Sequence, residues 1–394
     1  MILGITGGIA AYKAAFLASL LTHLGVTVHA VMTRAATEFI TPLTLQSLTK
    51  QPVYLDVFDE RDPGAIAHIA LADQASAIIV APATADIIAR VAHGLGDDML
   101  TTILLAATCP VIFAPAMNVH MYENKIVQAN LEILRQAGYH VAEPGVGPLA
   151  CGYEGRGRLM EPPDIVEYLE MILTRKHFSG KSVLVTAGPT KERIDPVRFI
   201  SNDSTGTMGY SLAQMAWRMG AKVTLVSGPV GIPAPIGVDL VKVESAQDML
   251  DEVTRRLADA DVVIKTAAVA DFRPETVSSL KIKKQNRDAL TLSLVKNPDI
   301  LQHISHFKAK HTYVVGFAAE THDTDLYARK KLHEKDLDLL VLNDVLEEGA
   351  GFGTGTNRVT LYDRSGEVTE VPKAPKLEIA QSILMHVATK LQTP

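Results

Sequence analysis

The chain has 394 residues, 47% of them hydrophobic and 21% charged, with a net charge of −6. That length exceeds one ordinary core and predicts two domains, and the balance is that of a chain able to bury a sizeable interior, which excludes a disordered protein. The acidity argues against a nonspecific nucleic-acid binder, no apolar run reaches the ~18 residues of a bilayer span, and the start MILGITGGIAAYK lacks a basic, cleavable leader, so a cytoplasmic location with no nucleic-acid or membrane partner is expected.

Apolar strands at 1–5, 26–32, 77–81 and 111–114 alternate with helices at 10–24, 85–92 and 119–137, a pattern that predicts a parallel sheet covered on both faces. The stretch 143–163 is dense in Gly and Pro and reads as a long loop, followed by a helix over 164–174. The polar connector RKHFSGK then marks a boundary, giving domains 1–177 and 178–394. A second series has strands at 182–186, 223–227, 240–243, 262–267, 313–317 and 339–343. Runs at 359–362 and 368–371, before a last helix, predict a small antiparallel edge.

Cys109 and Cys151 are the only cysteines, too few for a disulfide framework or a thiolate cluster. Cys109, beside Pro110, reads as core, whereas Cys151 lies on the glycine-rich stretch and is a candidate reactive thiol. His68 follows a Pro-Gly turn and is either a packed histidine or a base. The turn GITGGIAAYK exposes amides at a helix start, as a phosphate site or as a plain turn; its spacing fits neither GxxxxGK[ST] nor GxGxxG. MTRAA, APATAD and APAMN each follow a predicted strand, where open α/β sheets place their ligands.

Together GGIAAYK, FITPLTLQSL, the histidine of AHIAL, APATADIIARVAHG, PAMN and ACGYEGRGRL resemble the flavin-binding phosphopantothenoylcysteine decarboxylases over nearly all of residues 1–175. The resemblance implies a flavodoxin-like or Rossmann-like α/β domain holding FMN at a subunit interface. The matching positions are Thr6, Gly7, Gly8, Ile9 and Ala10, then Thr33, then Ala83, Thr84 and Ala85. It also implies that flavin oxidation of the substrate's thiol to a thioaldehyde lets the carboxylate leave as CO2, after which the ene-thiolate is reduced. In that scheme His68 is the base, Asn118 holds the departing carboxylate, and Cys151 supplies the final proton.

In the second half, Ser204, Thr205, Gly206 and Thr207 announce a helix start and either cap it or cradle an anion. KIKK supplies Lys281, Lys283 and Lys284, and ARKKLHEK places Lys331 and Lys335 one helical turn apart. Such lysines are either a solvated face or cations converging on a triphosphate. TAGPT, DPVRFISN, LVSGPV, TAAVADFRP, KIKK, KNPDI, VGFAAET and LVLND resemble phosphopantothenate-cysteine ligase over about 181–393, a second doubly wound, mostly parallel, Rossmann-like sheet.

That resemblance implies activation of 4'-phosphopantothenate by CTP, with Mg2+, to an acyl-cytidylate, which the amine of cysteine then attacks. Ala267, Asp271, Lys281, Phe317, Lys331 and Lys335 match nucleotide-binding positions, as do Asn297, Pro298, Asp299 and Ile300 of KNPDI. Asn202 matches the residue that processes the acyl-cytidylate by orienting its carbonyl. The family's loop usually reads SNHSSGKMG; here Asp203 and Thr207 replace its His and Lys. No metal ligands are legible.

With both halves in this order, the chain is similar to the bifunctional prokaryotic enzymes of coenzyme A biosynthesis, which implies a homo-oligomer, a dodecamer. A nicotinamide or flavin oxidoreductase would also show tandem α/β sheets, but no dinucleotide fingerprint follows either first strand. A non-catalytic flavin-binding regulator would leave the ligase half, His68 and Cys151 unexplained.

Overall fold

A computed structural model describes residues 1–58, 66–150, 152–283, 289–320, 324–344 and 355–392. The chain divides into two compact units, Met1–Leu173 and Thr174–Pro394. Among the described residues no helix is long and apolar enough to cross a membrane.

In the first unit, β1 (Ile2–Ile5), β2 (His29–Met32), β3 (Val53–Tyr54), β4 (Ile78–Ala83), β5 (Val111–Pro115) and β6 (His140–Val141) form one parallel sheet in the order β3-β2-β1-β4-β5-β6. Of the two doubly wound orders, this is the Rossmann one. The winding reverses between β1 and β4, which opens a crevice at the carboxyl ends. The helices are α1 (Ala11–His23), α2 (Pro42–Thr49), α3 (Ala67–Gln74), α4 (Ala85–Ala92), α5 (Met99–Ala106), α6 (Val119–Tyr122), α7 (Lys125–Gln136) and α8 (Pro162–Leu173). Leu17, Leu21, Leu45 and Ile165 of α1, α2 and α8 fill one face, and Leu71, Ile88, Leu104 and Leu131 of α3, α4, α5 and α7 fill the other. Burial on both faces is why β1 and β4 carry almost no polar side chain.

Two expectations are corrected here. Residues 119–137 form two helices because Asn124 caps α7, accepting from the Ile126 N–H at 2.9 Å. Asparagine favours such a cap over a place inside a helix. Residues 143–163 are not simply a loop: β7 (Gly145–Pro148) and β8 (Glu154–Arg158) pair as an antiparallel hairpin. Its glycines mark close approach to residues 117–119. A Cβ on Gly157 would lie 2.2 Å from the Met117 carbonyl oxygen, and one on Gly155 would lie 2.7 Å from Val119 Cγ2.

The second unit contains β9 (Ser182–Ala187), β10 (Lys191–Arg193), β11 (Phe199–Ser201), β12 (Lys222–Ser227), β13 (Asp239–Lys242), β14 (Val262–Lys265), β15 (Phe272–Pro274), β16 (Leu294–Lys296), β17 (Tyr313–Glu320), β18 (Leu339–Asp344), β19 (Thr356–Asp363) and β20 (Val368–Pro375). Its main sheet runs β13-β12-β9-β14-β17-β18-β19-β20. The first six strands repeat the order of the first unit, and the last two are the antiparallel edge. Helices α9 (Thr207–Arg218), α10 (Ala246–Leu257), α11 (Ile300–Phe307), α12 (Thr324–Glu334) and α13 (Lys376–Gln392) complete it. Helices α9 and α13 pack on one face through Leu212, Ala216, Ile379 and Ile383, and α10 to α12 on the other through Val253, Ile304 and Leu332.

Candidate active sites

A cavity of about 500 Å³ opens at the carboxyl ends of β1, β4 and β5, between their turns and the β7–β8 hairpin. Gly7 cannot carry a side chain, because a Cβ there would lie 2.5 Å from the Ala35 Cβ and 2.9 Å from the Ala35 main chain. At Gly8 a Cβ would meet nothing nearer than Thr84 Cγ2 at 3.8 Å, so the turn leaves room on that side. Helix α1 starts here without a side-chain cap. Ala11 and Lys13 donate back to the Gly8 and Ala10 carbonyls at 2.9 and 3.0 Å, and the turn residues 7–10 border an open space that suits a phosphate.

Thr6 is buried and locks the two turns together: its hydroxyl donates to the Pro82 carbonyl at 2.6 Å and accepts from the Thr84 N–H at 3.2 Å. Thr84 caps α4 by accepting from Ile87, Ile9, Ala10 and Ala85 line the cavity, and Ala83 is buried beneath it. Thr33 does not line the cavity. Its hydroxyl accepts from the Ala36 N–H, capping the short 3-10 turn Arg34–Glu38.

Asn118 lines the cavity, and its Oδ1 accepts from the His120 N–H at 2.8 Å, which fixes the plane of its amide. His68, half-buried on α3, is not among the lining residues, and among the described residues its Nδ1 is buried without a hydrogen-bond partner. Cys151 lies outside the described residues, while the preceding Leu149 and Ala150 line the cavity. Two lining cations were not singled out from the sequence. Lys13 and Arg158 contact Glu161 Oε1 at 2.8 and 2.9 Å, and the Lys13 hydrogen bond holds the Glu161 carboxyl below its ordinary range. Both stand inside motifs already quoted, GGIAAYK and GRGRL.

In the second unit a cavity of about 160 Å³ is bordered by residues 204–209 at the start of α9, by 265–268 after β14, and by Phe317, Ala318, Asn343, Asn357 and Lys376. It lies over the carboxyl-terminal halves of β14, β17 and β18, beside the start of α9. No side chain caps α9: Gly206 is the N-cap in a left-handed conformation with φ of 75°, and the Thr205 and Thr207 hydroxyls pair with each other at 2.8 Å. The hydroxyl-cap alternative for this segment is therefore not what forms.

Hydrogen bonds tie several of the matched positions to the segment that follows β14. Asn202 donates through Nδ2 to the Ala268 and Val269 carbonyls at 3.4 and 3.1 Å. Asn297 donates from its main chain to Asp271 and from Nδ2 to Ala270, each at 2.8 Å. After Pro298, Asp299 caps α11, which begins at buried Ile300, and pairs with Lys335 at 2.7 Å. Ala267 and Phe317 line the cavity itself.

Lys265, which sequence reasoning passed over at a strand end, donates to the Ala267 carbonyl at 2.9 Å. Burial, with the Lys331 charge adding to it and Asp299 and Asp271 opposing, pushes its pKa down to about 8. Among the described residues no group of three or more His, Cys, Asp or Glu could hold a metal ion.

Lys281 is exposed, but its segment is anchored at the next residue. The buried carboxylate of Asp195 accepts the N–H groups of Val197, Arg198 and Ile282 and the Arg198 guanidinium, and Arg198 donates to the Ile282 carbonyl at 2.5 Å. Lys284 lies outside the described residues. Burial alone would raise the Asp195 pKa; these hydrogen bonds outweigh it and hold the carboxyl far below the usual range.

A depressed carboxylate pKa contributes stability above its unfolded value, near 3.8, and loses that contribution as pH falls toward the folded value. Asp195→Asn should therefore melt earlier than the parent by a constant margin above pH ~4.5, a margin that narrows in more acid buffer. Melting curves across pH check this, and a margin independent of pH would refute it.

The flavoprotein family model matches residues 1–174, and the model of the DNA/pantothenate metabolism flavoprotein C-terminal domain matches residues 178–391. Over 397 aligned residues the chain is 50% identical to the coenzyme A biosynthesis bifunctional protein CoaBC of Bacillus subtilis (strain 168), an alignment spanning 98% of this chain and 96% of that protein. The chain belongs to the coenzyme A biosynthesis bifunctional protein family. Other members of this family, from Vibrio vulnificus (strain YJ016) and Escherichia coli (strain K12), are 47% and 43% identical, over 100% and 99% of this chain and 97% of each relative. As in the family, the first unit is a flavoprotein domain and the second a pantothenate-metabolism domain.

Proposed function

We propose that this bifunctional chain makes 4'-phosphopantetheine in two steps. The second unit joins 4'-phosphopantothenate to cysteine with CTP and Mg2+, through an acyl-cytidylate, and the first unit decarboxylates the product with FMN. The observation that carries the reading is that each unit has its own cavity towards the carboxyl ends of its parallel strands, edged by residues matching a different one of the two activities.

In the ligase unit the carboxylate needs activation because its oxygen is a poor leaving group. Lys281, Lys331 and Lys335 offset the triphosphate charge, with Mg2+ bound chiefly through the phosphates. Asn202 has its NH2 engaged by two main-chain carbonyls, so instead of donating to the acyl carbonyl, the role the resemblance implied, it offers Oδ1, an acceptor for an N–H of the attacking amine. That places the amine beside the acyl carbon and completes amide formation with release of CMP.

In the flavoprotein unit, FMN when bound supplies the two-electron oxidation that makes the substrate an electron sink for decarboxylation. The room beside Gly8 and the uncapped start of α1 fit its phosphate, received by the amides of residues 7–10. Asn118, its amide plane fixed, binds the departing carboxylate. Cys151, next to Leu149 and Ala150, returns a proton. His68 stands off the cavity in its own protomer, with Nδ1 unpaired among the described residues, which favours a site completed by a second copy and hence a homo-oligomer, with a dodecamer as the reading for the two fused activities.

The test is to mix the purified chain with 4'-phosphopantothenate, cysteine, CTP and Mg2+ and follow products by mass spectrometry. CMP, pyrophosphate, CO2 and 4'-phosphopantetheine are expected. The cysteine adduct alone would confine activity to the second unit, and no product with any nucleotide would overturn the reading.

A further inference from the structure

Lys376, the first residue of α13, is only 6% exposed, and among the described residues its ammonium has no ion pair and no side-chain hydrogen bond. Burial lowers its pKa. A lysine withdrawn from water without a partner is costly and is rarely kept unless something compensates it. Its place supplies the candidate: it lines the small cavity beside β14, β17 and β18 of the second sheet, whose border includes residues 204–209. There the twelve-residue helix α9 begins at Thr207, after its N-cap Gly206, with no side-chain cap. An ammonium and a free helix start on one small cavity are two independent positive features, and together they call for an anion.

A third feature narrows the ligand. Asn343, on the same cavity, has its Oδ1 buried without a hydrogen-bond partner among the described residues. The ligand must then bring an N–H or O–H donor as well as anionic oxygens, and a nucleotide carries both. Ala267 and Phe317, two of the positions matched to nucleotide binding, line the cavity too.

We propose that Lys376 is a further phosphate ligand of the nucleotide, acting with the uncapped start of α9. The proposal rests on the ligase reading above. Its test uses full-length Lys376→Met and Lys376→Arg, steady-state kinetics for each substrate, and melting curves with and without CTP and Mg2+.

Lys376→Met should raise KM for CTP at least ~10-fold and leave KM for 4'-phosphopantothenate and cysteine unchanged, with partial recovery in Lys376→Arg. The ligand-free Met variant should also melt higher than the parent, because a buried unpaired charge has gone, while the upward shift produced by CTP shrinks. A purely structural lysine would not give that pair of opposite changes.

An unchanged CTP dependence in both kinetics and melting overturns the proposal. So does a rise confined to KM for 4'-phosphopantothenate, which would put the other substrate's phosphate in the cavity. If the Met variant does not fold, Lys376→Gln is put through the same measurements. Because the melting shift reads binding alone, it decides for Lys376 even if the parent forms no amide, an outcome that would instead sink the ligase reading.

Discussion

Asn202→Ala is expected to slow amide formation by ~10²–10³-fold while decarboxylation of added phosphopantothenoylcysteine proceeds at the parent's rate, the loss being typical of one oriented group removed from a reacting centre. Asn202 follows β11 at an exposed position, so truncation leaves no hole in the core. What is lost is the pair of hydrogen bonds to the Ala268 and Val269 carbonyls and the Oδ1 they orient. Each such bond is worth about 1 kcal/mol or less at an exposed site, so the variant should stay folded. Asn202→Asp is the sharper variant, since it sets a carboxylate against two carbonyl oxygens and should be no more active than alanine. The two units have separate cores, which is why the decarboxylase should be indifferent to both changes. Measuring CMP release and CO2 release separately checks this. Loss of both activities in a variant with the parent's melting temperature would rule out two independent sites.

Much of the architecture was legible because strands buried on both faces cannot hide. β1 and β4 read as continuous apolar runs, and the alternation with helices follows from covering them. The lateral order of the strands was not legible, since one sequence specifies which segments are strands but not which neighbour each takes. Pairs of two or three residues, such as β3, β6, β10–β11 and β15–β16, are too short for a period to register. The β7–β8 hairpin misled because its glycines look like loop residues, whereas they are there to let one backbone lie against another.

The candidate sites divide along the same line. Residues on turns after strands, such as Thr6, Gly7, Asn118 and Ala267, stand in recognisable strings. Lys265 and Lys376 do not: a charged residue at a strand or helix end looks solvated until its burial is known, and only the fold supplies that. Thr33 shows the converse. Its string looked like cavity lining, but its hydroxyl faces the Ala36 N–H of its own turn.

The largest effect on the first unit should come from adding one methyl group. Gly157→Ala is expected to lower decarboxylation by ~100-fold or more, and amide formation by the second unit should continue unchanged. The added Cβ would sit 2.2 Å from the Met117 carbonyl oxygen, and because the obstacle is main chain, no side-chain rotation relieves it. The same position carries a main-chain bond, the Met117 N–H donating to the Gly157 carbonyl at 3.0 Å. Hairpin and cavity wall must therefore separate here, which shifts Asn118 on one side and Arg158 with the 148–150 segment on the other. Overpacking of this kind typically costs ~1–3 kcal/mol, enough to displace the hairpin without unfolding a unit whose core lies beneath the sheet. Gly155→Ala is the internal control. Its obstacle is Val119 Cγ2 at 2.7 Å, part of a side chain that can turn, so its loss of activity should be smaller. Single-turnover decarboxylation, alongside the flavin absorbance of each variant, separates the cases: flavin retained with turnover lost places the damage at the hairpin, and turnover retained in Gly157→Ala would show that the hairpin does not shape the reacting site.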